Sequence, residues 1–233
     1  MNIAIILASG MGKRMGAGKN KTLLGLNGKP LIFYALRAFE KSPVINKIVL
    51  TVKEGEEKVF AEIVKKYGFK KISAILRGGK ERQNSAWEGL KFAKEKFGKF
   101  KNMIVLFHNG ANPFVTPDEI AKTVLSAARF GAAVVAHKTK DTIRQVDEKG
   151  ISLGVIDRSN LWNMQTPQAI KFALALRAFE QAKLDNFLGT DDVSLVERLG
   201  KKVKIIEASE NNFKITTPLD LELAEIVARR LRI

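Results

Sequence analysis

The sequence contains no cysteine and only two histidines among its 233 residues. The absence of cysteine excludes disulfides, thiolate metal ligands and a cysteine nucleophile. With only His108 and His137 as nitrogen ligands, a structural zinc site lacks enough donors. No apolar run approaches the roughly 20 residues of a membrane-spanning helix. The N-terminal apolar segment is too short for a signal peptide and follows no basic segment. We therefore expect a cytoplasmic protein with no membrane partner.

Acidic residues are scarce relative to basic ones: 24 Asp and Glu against 40 Lys and Arg give a formal net charge of +16. Such an excess fits a nucleic-acid surface, a site for a phosphorylated small molecule, or a lysine-rich exterior. The lysines are scattered rather than grouped in a block, and the two tryptophans fall within apolar patterns. Both features disfavour nucleic acid as a partner, because such binders interleave aromatic and basic residues on one face.

The remaining composition, 45% apolar, is that of a folded chain. Short apolar runs alternate with longer amphipathic segments, a pattern typical of a parallel sheet covered by helices. The predicted strands are 2–8, 47–52, 71–76, 103–108, 132–136 and 202–207. The predicted helices are 30–41, 55–67, 81–97, 117–129, 169–183, 191–199 and a last one from Pro218. This order predicts an α/β fold with a doubly wound, mostly parallel, Rossmann-like sheet, as a single domain over 1–233.

The alternation of strands and helices breaks after His137. Residues 138–158 contain Asp147-Glu148-Lys149-Gly150, a turn signal between two runs of partial alternation, which predicts a β-hairpin. A hairpin that protrudes from a compact sheet is typical of a dimerisation arm, and a plain surface hairpin is the alternative. We take 138–158 as an arm and expect a homodimer.

The first predicted strand ends in a glycine-rich loop, Ala8-Ser9-Gly10-Met11-Gly12-Lys13-Arg14-Met15-Gly16, with Lys21 close behind. Small residues let the backbone approach an anion, and basic residues supply compensating charge. A nucleotide phosphate is the usual ligand after a first parallel strand. The loop is not a dinucleotide fingerprint, which needs glycine at Met15, nor a Walker A motif, which needs glycine at Lys13. A tight turn with two solvated cations is the alternative.

Further polar segments follow other strands, the hairpin and the later helices. They are Arg77-Gly78-Gly79-Lys80-Glu81-Arg82-Gln83-Asn84-Ser85, His108-Asn109-Gly110-Ala111-Asn112-Pro113, Asp157 to Gln168, Thr190-Asp191-Asp192, and Asn211 to Leu221. The first leads into a predicted helix, so that its N–H groups and Ser85 can bind a base or a phosphate. Each segment by itself is also compatible with an ordinary polar loop.

Together, in this order and across essentially the whole chain, these segments resemble the 2-C-methyl-D-erythritol 4-phosphate cytidylyltransferase family, which belongs to the sugar-phosphate nucleotidyltransferases. The most specific segments are Trp-x-x-x-Thr-Pro-Gln at 162–168 and Asn-x-Lys-x-Thr-x-Pro-x-Asp-Leu at 212–221. Ribitol-5-phosphate cytidylyltransferases share most of these motifs, so that the acceptor stays open at this point.

The resemblance implies transfer of CMP from CTP to a sugar or polyol phosphate, with release of pyrophosphate and with Mg²⁺ as cofactor. The family's catalytic cations fall on Arg14, Lys21, Arg158 and Lys214. Its nucleotide contacts fall on Ala8, Ser9, Gly10, Gly12, Gly79, Ser85, Asn109 and Gly110. Its substrate contacts fall on Asn112, Thr142, Thr166 and Thr190. Such a reaction requires charge neutralisation and alignment rather than a nucleophilic side chain.

Two positions depart from the family pattern. Where the family has Asp-(Ala/Gly)-Ala-Arg-Pro, this chain has Asn109-Gly110-Ala111-Asn112-Pro113. Asn109 replaces a carboxylate expected near the nucleotide and its metal, and it keeps a carbonyl oxygen without the negative charge. Asn112 replaces an arginine expected near the acceptor. Three interpretations follow: an active enzyme with weaker or altered metal use, an enzyme with a shifted acceptor, or an inactive descendant that binds nucleotide.

Overall fold

The computed structural model describes residues 1–10, 12 and 20–232. A seven-stranded sheet contains β1 (Asn2–Ala8), β4 (Lys47–Val52), β5 (Ile72–Arg77), β6 (Ile104–Asn109), β7 (Ala132–Lys138), β10 (Trp162–Lys171) and β11 (Lys204–Glu207). Two small antiparallel sheets pair β2 (Gly25–Leu26) with β3 (Lys29–Pro30) and β8 (Ile143–Val146) with β9 (Ser152–Ile156). The helices are α1 (Leu31–Lys41), α2 (Glu57–Tyr67), α3 (Arg82–Phe97), α4 (Pro117–Phe130), α5 (Phe172–Leu184), α6 (Asp192–Arg198) and α7 (Pro218–Arg230), with a 3₁₀ turn at Lys21–Leu23.

The order of strands in the main sheet is β11-β7-β10-β6-β1-β4-β5. Neighbours pair in parallel except β10, which is antiparallel to both β6 and β7. The chain runs outward from β1 to β4 and β5, and then returns to β6 on the other side of β1. This reversal creates a crevice at the carboxyl ends of β1 and β6, where open α/β sheets bind their ligands. The prediction of a mostly parallel α/β sheet is confirmed.

Strand β1 shows why the sheet strands are apolar without interruption. Ile3, Ile5 and Leu7 pack into one core cluster, and Ala4 and Ile6 into the cluster on the opposite face. Successive side chains of a strand point to opposite faces, and here helices cover both of them. Every residue of β1 from Ile3 onward is therefore buried.

The predicted helix 169–183 was wrong at its start, since the strand β10 occupies 162–171 and α5 begins at Phe172. Ala169 and Ile170 are fully buried and pair with β6 and β7. Pairing on both sides satisfies their backbone groups in the middle of the sheet, which outweighs a local helical pattern. The short β2–β3 ribbon was not predicted from the sequence. The other predicted bounds agree with the observed ones within two residues.

Residues 138–158 form the predicted hairpin, in which β8 and β9 pair with each other as a separate two-stranded sheet. Four of its apolar side chains are more than half exposed: Val146, Ile151, Leu153 and Val155. Within the described part of the chain, no helix combines the length and apolar character needed to cross a membrane.

Candidate active site

A cavity of about 820 Å³ opens at the carboxyl edge of the sheet. Its walls come from the segments that follow four parallel strands. These lining residues are Ser9 and Gly10 after β1, Lys53 and Glu54 after β4, Gly78 to Arg82 after β5, and Asn109 and Ala111 at the end of β6. Loops far apart in the sequence meet here because parallel strands end at the same edge of the sheet.

The charge of the cavity is strongly positive. Among the described residues, the basic side chains that line it are Lys21, Lys53, Arg77, Lys80, Arg82 and Lys214, against two carboxylates, Glu54 and Glu81. Glu54 forms an ion pair with Arg77. A concave site lined by charge of one sign concentrates the opposite charge, so this one favours a polyanion.

One wall consists of small residues from the loops after β1 and β5. The Ser9 Oγ lies 2.9 Å from the Ser85 Oγ, which also accepts a hydrogen bond of 3.1 Å from the Gly79 N–H. A Cβ at Gly78 would lie 2.7 Å from the Ser85 Oγ, so that only glycine fits there. Ser85 is fully buried. The predicted contacts Ser9, Gly79 and Ser85 therefore lie together.

The same close packing continues around the ends of β1 and β6. The Gly110 N–H donates to the Leu7 carbonyl at 2.8 Å, and a Cβ at Gly110 would lie 2.6 Å from the Ile32 Cδ1. Ala8 is buried, and its carbonyl accepts from the Asn20 side chain at 2.6 Å. Gly12 has a φ of +59°, the left-handed region that favours glycine. Met11 and residues 13–19, which include the predicted catalytic Arg14, lie outside the described residues.

The predicted catalytic lysines Lys21 and Lys214 both line the cavity. The Lys21 Nζ donates to the Ile215 carbonyl at 3.0 Å, and the Ile215 N–H donates to the Ala111 carbonyl at 2.9 Å. These bonds tie the segment before α7 to the loops after β1 and β6. The structure thus brings together two cations that lie 193 positions apart in the sequence.

Three further predicted site residues, two on the arm and one before α6, are not among these lining residues. Arg158 is exposed after β9, and its guanidinium donates to the Lys140 carbonyl. Thr142 is exposed just before β8, and Thr190 is exposed just before α6. The contacts of these three residues with a substrate stay predictions.

His108, Asn109 and Thr166 form a buried set of hydrogen bonds at the end of β6. The His108 Nε2 lies 3.0 Å from the Asn112 carbonyl, which can only accept, so that Nε2 carries the proton. The Nδ1 atom then accepts from the Thr166 hydroxyl at 2.9 Å, and that oxygen accepts from the Asn109 N–H at 3.2 Å. Burial lowers the pKa of His108 to about 3, which keeps the ring neutral.

Asn112, predicted to contact the acceptor, is fully buried. Its side-chain amide forms hydrogen bonds with the side chains of Asn109, Gln165 and Asn212. Thr166 is 2% exposed. Both residues therefore support the floor of the cavity in this structure, and their contacts with substrate stay predictions.

Sequence reasoning missed an ion pair between Arg82 and Asp192, whose Nη2 and Oδ2 atoms lie 2.6 Å apart. Burial raises the pKa of Asp192, and the Arg82 charge opposes that rise. Burial alone would lower the pKa of Arg82, but the charge of Asp192, its hydrogen bond and the charge of Asp191 together outweigh burial and raise that pKa. Both residues belong to polar segments noted in the sequence, but no sequence signal pairs them.

Nowhere in the described ranges do three or more histidine, aspartate or glutamate side chains form a group that could hold a metal ion. Among the described lining residues, the side-chain amide and carboxylate oxygens belong to Asn109, Glu54 and Glu81. Mg²⁺ is commonly held by one or two protein oxygens together with substrate phosphates. The donor set therefore fits a divalent cation that arrives with a nucleotide.

A doubly wound sheet with a cationic cavity, partly walled by small residues, at its reversal point is an architecture suited to a nucleotidyltransferase. The family model for IspD, 2-C-methyl-D-erythritol 4-phosphate cytidylyltransferase, matches residues 2–230. The chain belongs to this family.

Individual relatives agree with the family match. The 2-C-methyl-D-erythritol 4-phosphate cytidylyltransferase of Geobacillus kaustophilus is 45% identical over 230 residues, which cover 98% of this chain and 97% of the relative. That of Shouchella clausii is 44% identical over 227 residues, 97% of this chain and 96% of the relative. Among solved structures, the 4-diphosphocytidyl-2C-methyl-D-erythritol synthase of Anaerococcus prevotii matches with a TM-score of 0.85 at 27% identity, covering 99% of this chain and 96% of that one. The Thermus thermophilus enzyme matches with a TM-score of 0.77 at 29% identity, covering 98% and 100%.

Proposed function

We propose that this protein transfers CMP from CTP to 2-C-methyl-D-erythritol 4-phosphate and releases pyrophosphate, a step of the non-mevalonate route to isoprenoid precursors. The observation that carries the proposal is the cationic cavity at the reversal point of the sheet, in a chain of this family. The relatives and solved structures above carry the methylerythritol name, which favours this acceptor over ribitol 5-phosphate.

The chemistry needs two anionic reactants in one place. A phosphate oxygen of the acceptor attacks the α-phosphorus of CTP in line, a new P–O bond forms, and the bond to the leaving pyrophosphate breaks. The attacking phosphate is already ionised, so no side chain has to remove a proton. Lys21 bonds to Ile215, the neighbour of Lys214, and both lysines line the cavity. Their ammonium groups neutralise charge that would otherwise keep the reactants apart.

Cytidine binding is assigned to the small-residue wall. Ser9 and Gly79 line the cavity without side-chain bulk, and the buried Ser85 hydroxyl is hydrogen-bonded to both. The triphosphate then extends toward the lysines. Of the other predicted nucleotide contacts, Gly10 lines the cavity, and Ala8, Gly12 and Gly110 lie at or just after the ends of β1 and β6. Small residues there would let the nucleotide approach the backbone closely.

The proposed cofactor is Mg²⁺ bound mainly to the triphosphate. The Asn109 carbonyl oxygen stands where the family has a carboxylate, and it can supply one neutral oxygen ligand. When bound, a divalent cation neutralises phosphate charge and orients the triphosphate. The chain's own contribution is the surrounding cations and the rigid end of β6.

We further propose that the arm, residues 138–158, pairs with a second copy of the chain. Val146, Ile151, Leu153 and Val155 expose 54–62% of their surface, an apolar patch that a second arm would bury. The protein should have the mass of a dimer by light scattering at micromolar concentration. Leu153→Glu should shift it to the monomer mass, whereas Leu125→Glu, on α4 with similar exposure, should not. A monomeric wild type contradicts the proposal.

The proposed activity is tested by pyrophosphate release. Purified protein with CTP and Mg²⁺ should release pyrophosphate with 2-C-methyl-D-erythritol 4-phosphate and remain at background with ribitol 5-phosphate or without an acceptor. Replacing CTP by ATP, GTP or UTP should abolish most of the signal. Pyrophosphate release with ribitol 5-phosphate but not with 2-C-methyl-D-erythritol 4-phosphate would identify ribitol 5-phosphate as the acceptor. CTP binding without pyrophosphate release with either acceptor would identify an inactive descendant.

The cytoplasmic location stays a prediction.

A further inference from the structure

A line of side-chain amides crosses the floor of the cavity and connects two ionised groups. It runs from the buried Glu119 carboxylate on α4 through Asn212, Asn112 and Asn109 to the Arg82 guanidinium. Each amide donates in the direction of Glu119 and accepts from the direction of Arg82. The two positions that depart from the family pattern are the two links nearest to Arg82.

The orientation of this line is determined at the Glu119 end. The Asn212 Nδ2 donates to the Glu119 Oε1 at 3.3 Å and to the Thr166 carbonyl at 3.0 Å. Both partners are acceptors only, because a carboxylate and a backbone carbonyl carry no hydrogen. The Asn212 amide therefore cannot be reversed, and its Oδ1 has to point toward Asn112.

The orientations of the Asn112 and Asn109 amides are determined in the same way. The Asn112 Nδ2 donates to the Asn212 Oδ1 at 3.3 Å and to the Gln165 Oε1 at 3.0 Å, which leaves its Oδ1 to accept from the Asn109 Nδ2 at 3.2 Å. The Asn109 Oδ1 then accepts from the Arg82 Nε at 3.1 Å. Asn112 and Asn212 are fully buried, so no exposed water competes for these atoms.

We propose that Asn112 and Asn212 are positioning residues, which hold the Asn109 carbonyl oxygen toward Arg82 at the wall of the nucleotide cavity, and that Asn109 and Asn112 are a matched pair. Asn109 and Arg82 both line that cavity, so the orientation of the Asn109 amide decides which atom the nucleotide meets. A carbonyl oxygen has two lone pairs, and one remains for a ligand hydroxyl or cation after Arg82 has taken the other.

The matched pair explains how two neutral side chains can stand where an acid and a base are expected. An aspartate at 109 accepts from Arg82 and from its neighbour, and an arginine at 112 donates to position 109, Gln165 and Asn212. In that pattern, as in the amide pair, every donor faces an acceptor, although the bond between positions 109 and 112 runs in the opposite direction. A change at only one of the two positions leaves two like groups facing each other.

Single substitutions should therefore impair CTP binding. In Asn109→Asp, a carboxylate oxygen faces the Asn112 Oδ1, and reversing Asn112 would set its oxygen against Gln165 and Asn212. In Asn112→Asp, which keeps the volume, an oxygen faces the Asn212 Oδ1. Each creates a buried acceptor–acceptor contact, and we expect the affinity for CTP to fall about ten-fold or more.

Two double variants separate positioning from general destabilisation. Asn109→Asp with Asn112→Arg should bind CTP more tightly than either single variant, because each donor would again face an acceptor. In an Asn109→Ala background, Asn112→Asp should weaken CTP binding by less than about two-fold, because the group that it positions is gone. The comparison in the Asn109→Ala background does not place a large side chain such as arginine at the buried position 112. Asn163→Asp, at an exposed site on β10, is the control and should bind CTP like the wild type.

The affinity for CTP is measured by calorimetry in the presence of Mg²⁺ and without acceptor. The values of kcat and KM are measured for the complete reaction, and the melting temperature is measured for each variant. Positioning predicts that the single variants change the affinity for CTP and the KM for CTP more than kcat. A purely structural role predicts lower melting temperatures with unchanged CTP affinity, and additive effects in both double variants would also overturn the proposal. A wild type that does not bind CTP would instead overturn the proposed function.

Discussion

Arg82 and Asp192 are joined across 110 positions of the chain by a hydrogen bond of 2.6 Å from Nη2 to Oδ2. The Asp192 side chain is 1% exposed, whereas that of Arg82 is 28% exposed. The second Asp192 oxygen, Oδ1, has no hydrogen-bond partner within the described residues. The carboxylate therefore depends on Arg82 for compensation of its charge, while Arg82 also reaches the cavity.

The first prediction concerns the asymmetry of this pair. Arg82→Ala leaves a buried carboxylate uncompensated and should lower the free energy of unfolding by about 3–5 kcal/mol. Asp192→Asn leaves a cation that reaches water and should cost less, about 1–3 kcal/mol. Urea unfolding at pH 7 measures both values. Arg198→Ala, which breaks the more exposed pair with Asp185, is the control at about 0–1 kcal/mol. Equal losses for the first two variants would contradict the asymmetry.

The second prediction concerns the pH dependence of stability. The pKa of His108 is about 3 in the folded chain because the ring is buried, against an ordinary value of 6.5. Between these values the unfolded chain binds the proton and the folded chain does not, so stability is lost as the pH falls below about 6.5. The slope from this group approaches about 1.4 kcal/mol per pH unit. His108→Gln should flatten the loss between pH 6.5 and 4 in urea unfolding series. An unchanged slope in that variant would argue that other groups cause the acid sensitivity.

The third prediction contrasts two glycines of the cavity wall. Gly78→Ala places a Cβ 2.7 Å from the Ser85 Oγ and should cost about 1–3 kcal/mol of stability together with CTP affinity. In Gly10→Ala the added Cβ has no atom within 4 Å, so the stability should not change. The methyl group would occupy space at the cavity wall, so the affinity for CTP should fall by about ten-fold or more.

Thermal unfolding and calorimetry with CTP measure these two effects. Gly25→Ala, which also meets nothing within 4 Å and lies in β2, is the control for both. It should change neither the melting temperature nor the affinity. A Gly10→Ala variant with normal CTP affinity would show that the nucleotide does not approach this part of the wall.

The fourth prediction concerns the cations. Lys21→Ala should lower turnover about 10²–10³-fold, because Lys21 lines the cavity and holds the segment that carries Lys214. Arg158→Ala should also lose most of its turnover but retain CTP binding, because Arg158 lies on the arm rather than in the cavity lining. Pyrophosphate release and CTP calorimetry separate the two variants.

Lys149→Ala, at the turn of the same hairpin, is the matched control and should keep full turnover. Near-normal pyrophosphate release from Arg158→Ala would remove Arg158 from the set of catalytic residues. Loss of CTP binding in Arg158→Ala would place it in the nucleotide site instead.

The amino-acid sequence determined the strands β1, β4, β5 and β6, because buried parallel strands have to be apolar on both faces. It also determined which loops carry the site, since polar segments after such strands collect at one edge of the sheet. The net charge of +16 suggested an anionic partner only vaguely. The cavity accounts for a small part of that excess, and most basic residues lie elsewhere on the chain.

Only the tertiary structure decided what depends on contacts between distant segments. The strand β10 contains a proline and several amides, and pairing with β6 and β7 makes it a central strand. The Arg82–Asp192 pair and the amide line from Glu119 to Asn109 join residues that no spacing in the sequence connects. Asn109 and Asn112 look in the sequence like two independent losses of charge. In the fold they are two consecutive links of one hydrogen-bonded line, because the buried Asn112 amide has only neighbouring side chains as partners.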